Sequence, residues 1–239
     1  MKPYNLEESK KSQVRTMFDR IAPSYDRLNH LLSFGIDHLW RRRAVRELRA
    51  YDPQRVLDVA TGTCDLAVAL TKLSDKVHIT GSDISVEMVE VGRAKVAKRG
   101  LSDRIELMIA DAEQLPFDEA AFDAVTVGFG VRNFAHKEQG LKEMTRVLRK
   151  GGVMMILEFS QPNNKIFGAL YRFYFHKILP AVGGWISRDR AAYNYLPKSV
   201  DAFPSPERFV EMMSEAGLQE CRALPLTFGV AYIYMGVKR

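Results

Sequence analysis

Residues 55–70 read RVLDVATGTCDLAVAL, a pattern that predicts a strand, a tight turn and the start of a helix. The turn contains Gly62, which suits a chain that has to reverse direction quickly between the two elements. In an open parallel sheet, ligands bind beyond the carboxyl ends of the strands. This turn is therefore the first candidate for a cofactor loop.

Short apolar segments alternate with helical patterns on the C-terminal side of this stretch. Strands are predicted at RVLDVA, VHITGSD, RIELMIA, FDAVTVGFG and GVMMILEFS, with helices at about 65–73, 85–99 and 136–149, the last stopped by Lys150-Gly151-Gly152. Strands that are apolar almost throughout, with helices between them, predict a parallel sheet covered on both faces. Two final strands, at about 218–224 and 227–237, predict an antiparallel hairpin at the sheet edge.

The composition is that of an ordinary globular protein. The 239 residues are 46% hydrophobic and carry a mildly basic formal net charge of +6. Cys64 and Cys221 cannot build a disulfide framework, and no Cys/His cluster has the spacing of metal ligands, so the sequence predicts no metal site. The N-terminus lacks the apolar core of a secretory signal, and no apolar run approaches the roughly 18 residues of a membrane span. A cytoplasmic location is expected.

Acidic residues follow the next two predicted strands. Asp83 closes the second strand, 21 residues after Gly62, where a carboxylate can accept hydrogen bonds from both ribose hydroxyls of an adenosine. Asp111 and Ala112 follow the third strand, where an adenine edge can lie. Each feature alone also fits a plain turn or a helix cap, but three at successive strand ends favour a nucleotide cofactor.

The loop residues distinguish between two such cofactors. A dinucleotide loop needs glycines that let the backbone close on a pyrophosphate, and here Thr61, Thr63 and Cys64 would crowd the phosphates. S-adenosylmethionine has no phosphate, and its ammonium group suits an acidic residue such as Asp58. The pattern therefore favours S-adenosylmethionine over the nicotinamide dinucleotide of a dehydrogenase.

Longer segments resemble one family of methyltransferases. LDVATGTCD, DAEQLPFDEAAFDAVTVGFGVRNF and EMTRVLRKGGVMMILEFSQP resemble the quinone C-methyltransferases of menaquinone and ubiquinone biosynthesis, the UbiE/MenG family. MFDRIAPSYDRLNHLLSFGIDHLWRR resembles their N-terminal signature, and the likeness covers about residues 14–239. It implies an α/β class I S-adenosylmethionine-dependent methyltransferase fold, Rossmann-like, with a mostly parallel seven-stranded sheet, an antiparallel C-terminal hairpin and an N-terminal helical cap.

The resemblance also implies how a single domain over 1–239 is divided. The expected parts are an N-terminal helical cap at 1–50, a cofactor-binding core at 51–160, a helical insertion at 161–205 that forms a substrate lid, and a C-terminal helix and hairpin at 206–239. The methyl donor would contact Thr63, Asp83, Asp111, Ala112 and Gly128. Cys64 stands where relatives commonly have glycine, a departure that bears on the shape of the methionine pocket.

The reaction that the resemblance implies is the methylation of a ring carbon of demethylmenaquinol. Methylation of a ubiquinone precursor, or of another small molecule, is the alternative. Arg132, Asn133 and Tyr25 are the candidate residues of the quinol pocket. Arg132 would stabilise the phenolate form of a quinol hydroxyl or orient a water that removes its proton. Tyr25 and Asn133 would hydrogen-bond the ring oxygens, and Asp26 would hold Tyr25 or Arg132.

Two further segments bear on partners. An apolar, aromatic stripe over 166–179 is a candidate wall for a polyprenyl tail, or simply core packing. The arginine-rich helix around Arg41–Arg49 is a solvated face or a contact with anionic lipid at the inner face of the membrane. Basic residues are otherwise dispersed, without a basic-aromatic stripe for base stacking, so no nucleic-acid partner is expected. A homodimer is compatible with the sequence.

Overall fold

The computed structural model describes residues 2–4, 7–162, 168, 171–180 and 189–239. The strands are β1 Arg55–Val59, β2 His78–Asp83, β3 Ile105–Ile109, β4 Phe122–Gly128, β5 Leu148–Phe159, β6 Leu218–Leu226 and β7 Ala231–Lys238. The α-helices are α1 Lys10–Ile21, α2 Tyr25–Leu32, α3 Ile36–Leu48, α4 Asp65–Leu70, α5 Val86–Lys98, α6 Lys137–Val147, α7 Arg190–Asp201 and α8 Pro206–Glu215. The segment 171–180 is also helical, with a π-helix at Tyr174–Ile178.

The described strands form one seven-stranded sheet in the order β3-β2-β1-β4-β5-β7-β6. Strands β1 to β5 pair in parallel, and β7 runs antiparallel between β5 and β6. The register aligns Val59 with both Ser82 and Val127, so the carboxyl ends of β1, β2 and β4 lie at one edge. The predicted fold class and C-terminal hairpin are confirmed.

The core explains why the predicted strands are apolar throughout. Val56 and Leu57 are neighbours in β1, and both are completely buried. Side chains alternate between the two faces of a strand, so Val56 packs into a cluster with α3, α4 and α5 while Leu57 packs into one with α6 and α8. Both faces of the sheet are covered, as a parallel sheet requires.

One predicted boundary is wrong. Helix α6 ends at Val147 rather than at the predicted Lys150-Gly151-Gly152, and β5 begins at Leu148. Leu148 pairs with Phe122 of β4, and the register then shifts, so the lysine and the two glycines lie in a bulged part of the strand. The pairing partner is distant in sequence and local pattern does not reveal it.

The N-terminal helices and the segments after β5 cover the carboxyl edge of the sheet. They form a third buried cluster that includes Met17 of α1, Leu28 of α2, Phe175, and Tyr195 of α7. Part of the stripe predicted over 166–179, at residues 166, 167, 169 and 170, lies outside the described residues. Within the part of the chain that is described, no helix combines the length and apolar character needed to cross a membrane.

Candidate functional site

Two cavities lie side by side at the carboxyl edge of the sheet. The larger has a volume of about 560 Å³ and the smaller about 80 Å³. Tyr25, Gly62, Gly128 and Asn133 are among the residues that line both of them and therefore lie at their common boundary. Every site residue predicted from the sequence lines at least one of the two cavities.

The loop after β1 is tied directly to the end of β2. Gly62 has a φ of 55°, in the left-handed region that favours glycine. Its N–H donates to Asp83 Oδ2 at 2.8 Å, and the N–H of Ser85 donates to Oδ1 at 2.9 Å. Burial raises the pKa of Asp83. A carboxylate has about four acceptor positions, so Asp83, which lines the smaller cavity, can still accept a hydrogen bond from a ligand there.

Asp111 and Ala112 line the smaller cavity, and Asp111 is paired with a lysine that the sequence reading missed. Lys11 of α1 places its Nζ 2.6 Å from Asp111 Oδ2 and 2.9 Å from Glu113 Oε2. These two ion pairs hold helix α1 against the smaller cavity. No local signal in the sequence marks this contact, since it joins residues about a hundred positions apart.

Asp58 lies completely buried at the end of β1 and lines the larger cavity. The hydroxyls of Thr61 and Thr126 donate to its two oxygens at 2.6 and 2.7 Å. Burial raises the pKa of Asp58 to about 6 in spite of these hydrogen bonds. An acidic group so deeply buried is stabilised in its charged form by a cation, which suits an ammonium ligand.

Thr63 also lines the larger cavity, and its hydrogen bond with Asp26 corrects the prediction that Asp26 holds Tyr25 or Arg132. The Thr63 hydroxyl donates to Asp26, whose other oxygen is 2.6 Å from Lys95 Nζ. Asp26 therefore holds Thr63 and Lys95, and the hydrogen bonds expected from it to Tyr25 or Arg132 are not formed. Residue 26 is the second of α2 and points toward the cofactor loop rather than into the cap.

Cys64 does not line either cavity. It takes a left-handed φ of 70°, and its thiol packs into the core, where a Cβ added at Gly92 of α5 would lie 2.5 Å from Sγ. Burial raises the pKa of the Cys64 thiol to about 12, so the group stays protonated at neutral pH. The Cys64 side chain therefore packs away from both cavities, and its Sγ lies 3.9 Å from the carbonyl oxygen of Gly62 in the loop.

Arg132 lies in a 3-10 turn, Val131–Asn133, that follows β4. It is 7% exposed, and its guanidinium is 2.7 Å from the carboxylate of Glu158 on β5, which is completely buried. The same carboxylate accepts the Arg132 N–H at 3.1 Å, and the guanidinium lies 5.4 Å from the centre of the Phe159 ring. Arg132 is thus a fixed, paired cation. The sequence could have pointed to Glu158, because it is the single acidic residue in the apolar strand VMMILEFS.

Tyr25 and Asn133 stand between the two cavities. Asn133 is 8% exposed and belongs to the same turn as Arg132. Burial raises the pKa of Tyr25, whereas the positive charge of Arg132 acts to lower it. The three residues predicted for the quinol pocket therefore lie together, at the point where the cavities meet.

The wall of the larger cavity is mostly apolar and aromatic. The described members of the stripe predicted over 166–179 all line it: Tyr171, Tyr174, Phe175, Ile178 and Leu179. Phe159 contacts Phe129 and Trp40 on the sheet side, with ring centres 4.5 and 5.8 Å apart. Phe175 and Leu179 are also buried in the cap, so the stripe both packs and lines the cavity.

A group of potential metal ligands lies near this wall, where sequence spacing predicted none. His30, Asp37 and His38 have ligand atoms within 4.8 Å of one another. Arg41 donates to Asp37 at 2.6 Å and contacts His38 Nδ1 at 3.1 Å. This guanidinium already supplies the positive charge and occupies two of the three ligands, which disfavours a metal ion.

Sequence comparison identifies the family. The sequence model of the ubiE/COQ5 methyltransferase family matches residues 6–238. A demethylmenaquinone methyltransferase of Deinococcus radiodurans is 47% identical over 99% of this chain and 97% of its own length. A ubiquinone/menaquinone biosynthesis C-methyltransferase of Geotalea daltonii is 47% identical over 96% of this chain and 97% of its own length.

Solved structures agree on the fold. A SAM-dependent methyltransferase of Thermotoga maritima superposes with a TM-score of 0.66 at 21% identity, over 95% of this chain and 100% of that one. One from Aquifex aeolicus has a TM-score of 0.58 at 18% identity, over 78% and 82% of the two chains. The fold is thus that of S-adenosylmethionine-dependent methyltransferases, and the chain belongs to the ubiE/COQ5 methyltransferase family.

Proposed function

We propose that this protein transfers a methyl group from S-adenosylmethionine to a ring carbon of a polyprenylated quinol, with demethylmenaquinol as the substrate. The observation that carries the proposal is the meeting of a small, acidic cavity and a large, aromatic one at Tyr25, Gly62, Gly128 and Asn133. The name of the relative from Deinococcus radiodurans supports the choice of ring, whereas the name of the relative from Geotalea daltonii covers both ubiquinone and menaquinone.

The residues present fit the methyl donor. Asp83 would accept the two ribose hydroxyls, and Asp111 with Ala112 would border the adenine. Asp58, Gly62, Thr63 and the backbone of Gly128 would surround the methionine part; around Gly62, a Cβ would meet nothing within 4 Å, which leaves open space for a ligand. We expect the Lys11 ammonium, which lies against Asp111, to move when an adenine ring enters.

Bound S-adenosylmethionine supplies an electrophilic methyl group on a positively charged sulfur. Arg132 makes the quinol ring more nucleophilic, because a nearby cation lowers the pKa of a phenolic hydroxyl from its usual value of about 10. The ring carbon would form its bond to the methyl group as the sulfur–methyl bond breaks, with the electron pair of that bond going to sulfur. Loss of the proton from the same ring carbon to water would restore the aromatic ring. Tyr25 and Asn133 orient the ring for this attack through its oxygens.

The polyprenyl tail would lie in the larger cavity. Its wall is aromatic, and two of its lining residues are also strongly exposed, Phe34 at 77% and Phe173 at 59%. Exposed aromatic side chains at the mouth of an apolar cavity suit a ligand with a long hydrocarbon chain. Residues 171–180 and 189–205 of the segment 161–205 would act as a lid over this substrate, and residues 163–167, 169–170 and 181–188 lie outside the described part of the chain.

A peripheral contact with an anionic membrane would place this mouth near the lipid that carries the substrate. Next to it, a groove of about 610 Å³ is lined by basic residues, which we call the arginine groove: Arg41, Arg42, Arg43, Arg46, Arg49, Lys72 and Arg99. Juxtaposed basic and apolar surface is the pattern by which peripheral proteins bind anionic lipid. A homodimer and the absence of a nucleic-acid partner stay predictions.

One assay tests the proposed reaction. Purified protein is incubated with S-adenosylmethionine carrying a CD₃ group and with each reduced quinone precursor in turn. The masses of the products are then measured by mass spectrometry. Demethylmenaquinol should gain one CD₃ in place of a ring hydrogen. Methylation of the ubiquinone precursor instead identifies the alternative ring, and methylation of short soluble phenols in preference to both contradicts the proposal.

A further inference from the structure

Helix α7 carries a tyrosine whose polar end is unsatisfied. Tyr195 lines the larger cavity and is 4% exposed, and its buried hydroxyl has no hydrogen-bond partner among the described residues. A buried donor left without a partner costs stability, and native proteins seldom keep one without a reason. In a cavity built for a ligand, the ligand itself is the natural partner.

The helix fixes where this hydroxyl lies. Asp189 caps α7 by accepting the Ala192 N–H at 3.0 Å, and α7 contacts the turn Val131–Asn133. Burial raises the pKa of Tyr195 to about 12, with Arg132 acting to lower it and Glu158 to raise it. The hydroxyl is therefore protonated at neutral pH, available as a donor, and within electrostatic range of the Arg132–Glu158 pair.

Tyr25 and Tyr195 occupy different parts of the site. Tyr25 borders both cavities, whereas Tyr195 lines only the larger one. The charge of Arg132 acts on the pKa of both. A 1,4-quinol has two oxygens on opposite sides of its ring, and only one of them is adjacent to the carbon that receives the methyl group. A pair of donors separated in this way matches a ligand with two separated oxygens.

We propose that Tyr195 is a positioning residue that donates a hydrogen bond to the second quinol oxygen, the one not adjacent to the methylated carbon. Tyr195 thereby selects rings with two oxygens over rings with one. The neighbouring Tyr193 also lines this cavity with a buried hydroxyl that no described residue hydrogen-bonds, but Arg132 and Glu158 do not act on its pKa. The inference rests on the proposed function, because it assigns a contact to that substrate.

The test compares two substrates in Tyr195→Phe and in the wild-type protein. One is a prenylated 1,4-naphthohydroquinone; the other is the matching 3-prenyl-1-naphthol, which keeps the oxygen next to the reactive carbon and lacks the second. Tyr195→Phe should lower kcat/KM for the hydroquinone by about tenfold, as expected for one lost hydrogen bond, and leave kcat/KM for the naphthol unchanged. Its unliganded Tm should stay the same or rise, since an unsatisfied buried hydroxyl is removed.

Tyr234→Phe is the matched control. Tyr234 is completely buried and its hydroxyl also has no hydrogen-bond partner within the described part of the chain, but it packs against Phe209 in the core and does not line the cavity. Tyr234→Phe should leave kcat/KM unchanged for both substrates. Equal losses on both substrates in Tyr195→Phe, or no loss on the hydroquinone, would overturn the role of Tyr195 while leaving the reaction intact. Wild-type protein that methylates neither ring would overturn the proposed function and this inference together.

Discussion

The guanidinium of Arg132 and the carboxylate of Glu158 form a buried ion pair, 2.7 Å apart, in the wall of the larger cavity. The carboxylate also accepts the backbone N–H groups of Arg132 and Phe159. These contacts hold the guanidinium in one place, so its positive charge is oriented before any substrate binds. A cation fixed in advance stabilises developing negative charge without a cost of reorganisation.

Replacement of Arg132 should separate turnover from cofactor binding. We expect Arg132→Ala to lose most turnover with an unchanged Kd for S-adenosylmethionine, measured by calorimetry. It should also lower the free energy of unfolding by about 3 kcal/mol, because the Glu158 charge is left buried and unpaired. The double variant Arg132→Ala/Glu158→Gln should regain part of that stability but not the turnover. Near-normal turnover in either variant would remove Arg132 from the mechanism.

The carboxylate of Asp83 should control affinity for the methyl donor. Asp83→Asn replaces one accepting oxygen by an NH₂ group, and a ribose hydroxyl then loses its acceptor. We expect the Kd for S-adenosylmethionine to rise about tenfold or more, measured by calorimetry. Asp123→Asn is the control, because Asp123 also accepts two backbone N–H groups but at the start of β4, away from both cavities. Similar affinity losses in both variants would count against a specific contact.

Binding of the methyl donor should release protons near pH 6. The pKa of Asp58 is about 6 in the folded protein against an ordinary value of 3.8, so the folded state holds a proton that the unfolded state has lost between these pH values. Ionisation of Asp58 in the folded protein therefore lowers the free energy of unfolding as the pH rises through this range. An ammonium group beside Asp58 favours the ionised form, so affinity should improve as pH rises through 6 and then level off.

Calorimetry in buffers of different ionisation enthalpy measures this release. We expect about half a proton released at pH 6 and almost none at pH 8. Asp58→Asn should abolish the release at pH 6. No release from the wild-type protein at that pH would show that the ammonium lies elsewhere.

The arginine groove should bind anionic vesicles through charge. Arg42→Gln/Arg46→Gln/Arg49→Gln should weaken co-sedimentation with phosphatidylglycerol vesicles by about fivefold for each arginine lost, since a basic residue near such a surface contributes on the order of 1 kcal/mol. Added salt should also weaken co-sedimentation of the wild-type protein with these vesicles, because it screens the charges. The control Arg208→Gln/Arg222→Gln/Arg239→Gln removes equal charge from α8, from β6 and from the residue after β7. Co-sedimentation that is unchanged by salt and by both triple substitutions would exclude an electrostatic contact.

The part of the site that follows strand ends could be predicted from sequence, because parallel strands bring their carboxyl ends to one edge. Asp58, Asp83 and Asp111 are of this kind. Contacts made between distant segments could not. The pairing of Leu148 with Phe122 shortened α6, and the contact of Lys11 with Asp111 depends on how the cap docks. Tyr195 is of the same kind, since only the packing of α7 brings it to Arg132.

A crystal structure with S-adenosylhomocysteine bound tests the central geometric claim most directly. The ribose hydroxyls should lie about 3 Å from the Asp83 carboxylate, within hydrogen-bonding distance. The sulfur should lie at the boundary formed by Tyr25, Gly62, Gly128 and Asn133, facing the aromatic cavity. A nucleoside bound away from Asp83, or a sulfur that faces solvent instead of that cavity, would contradict the account.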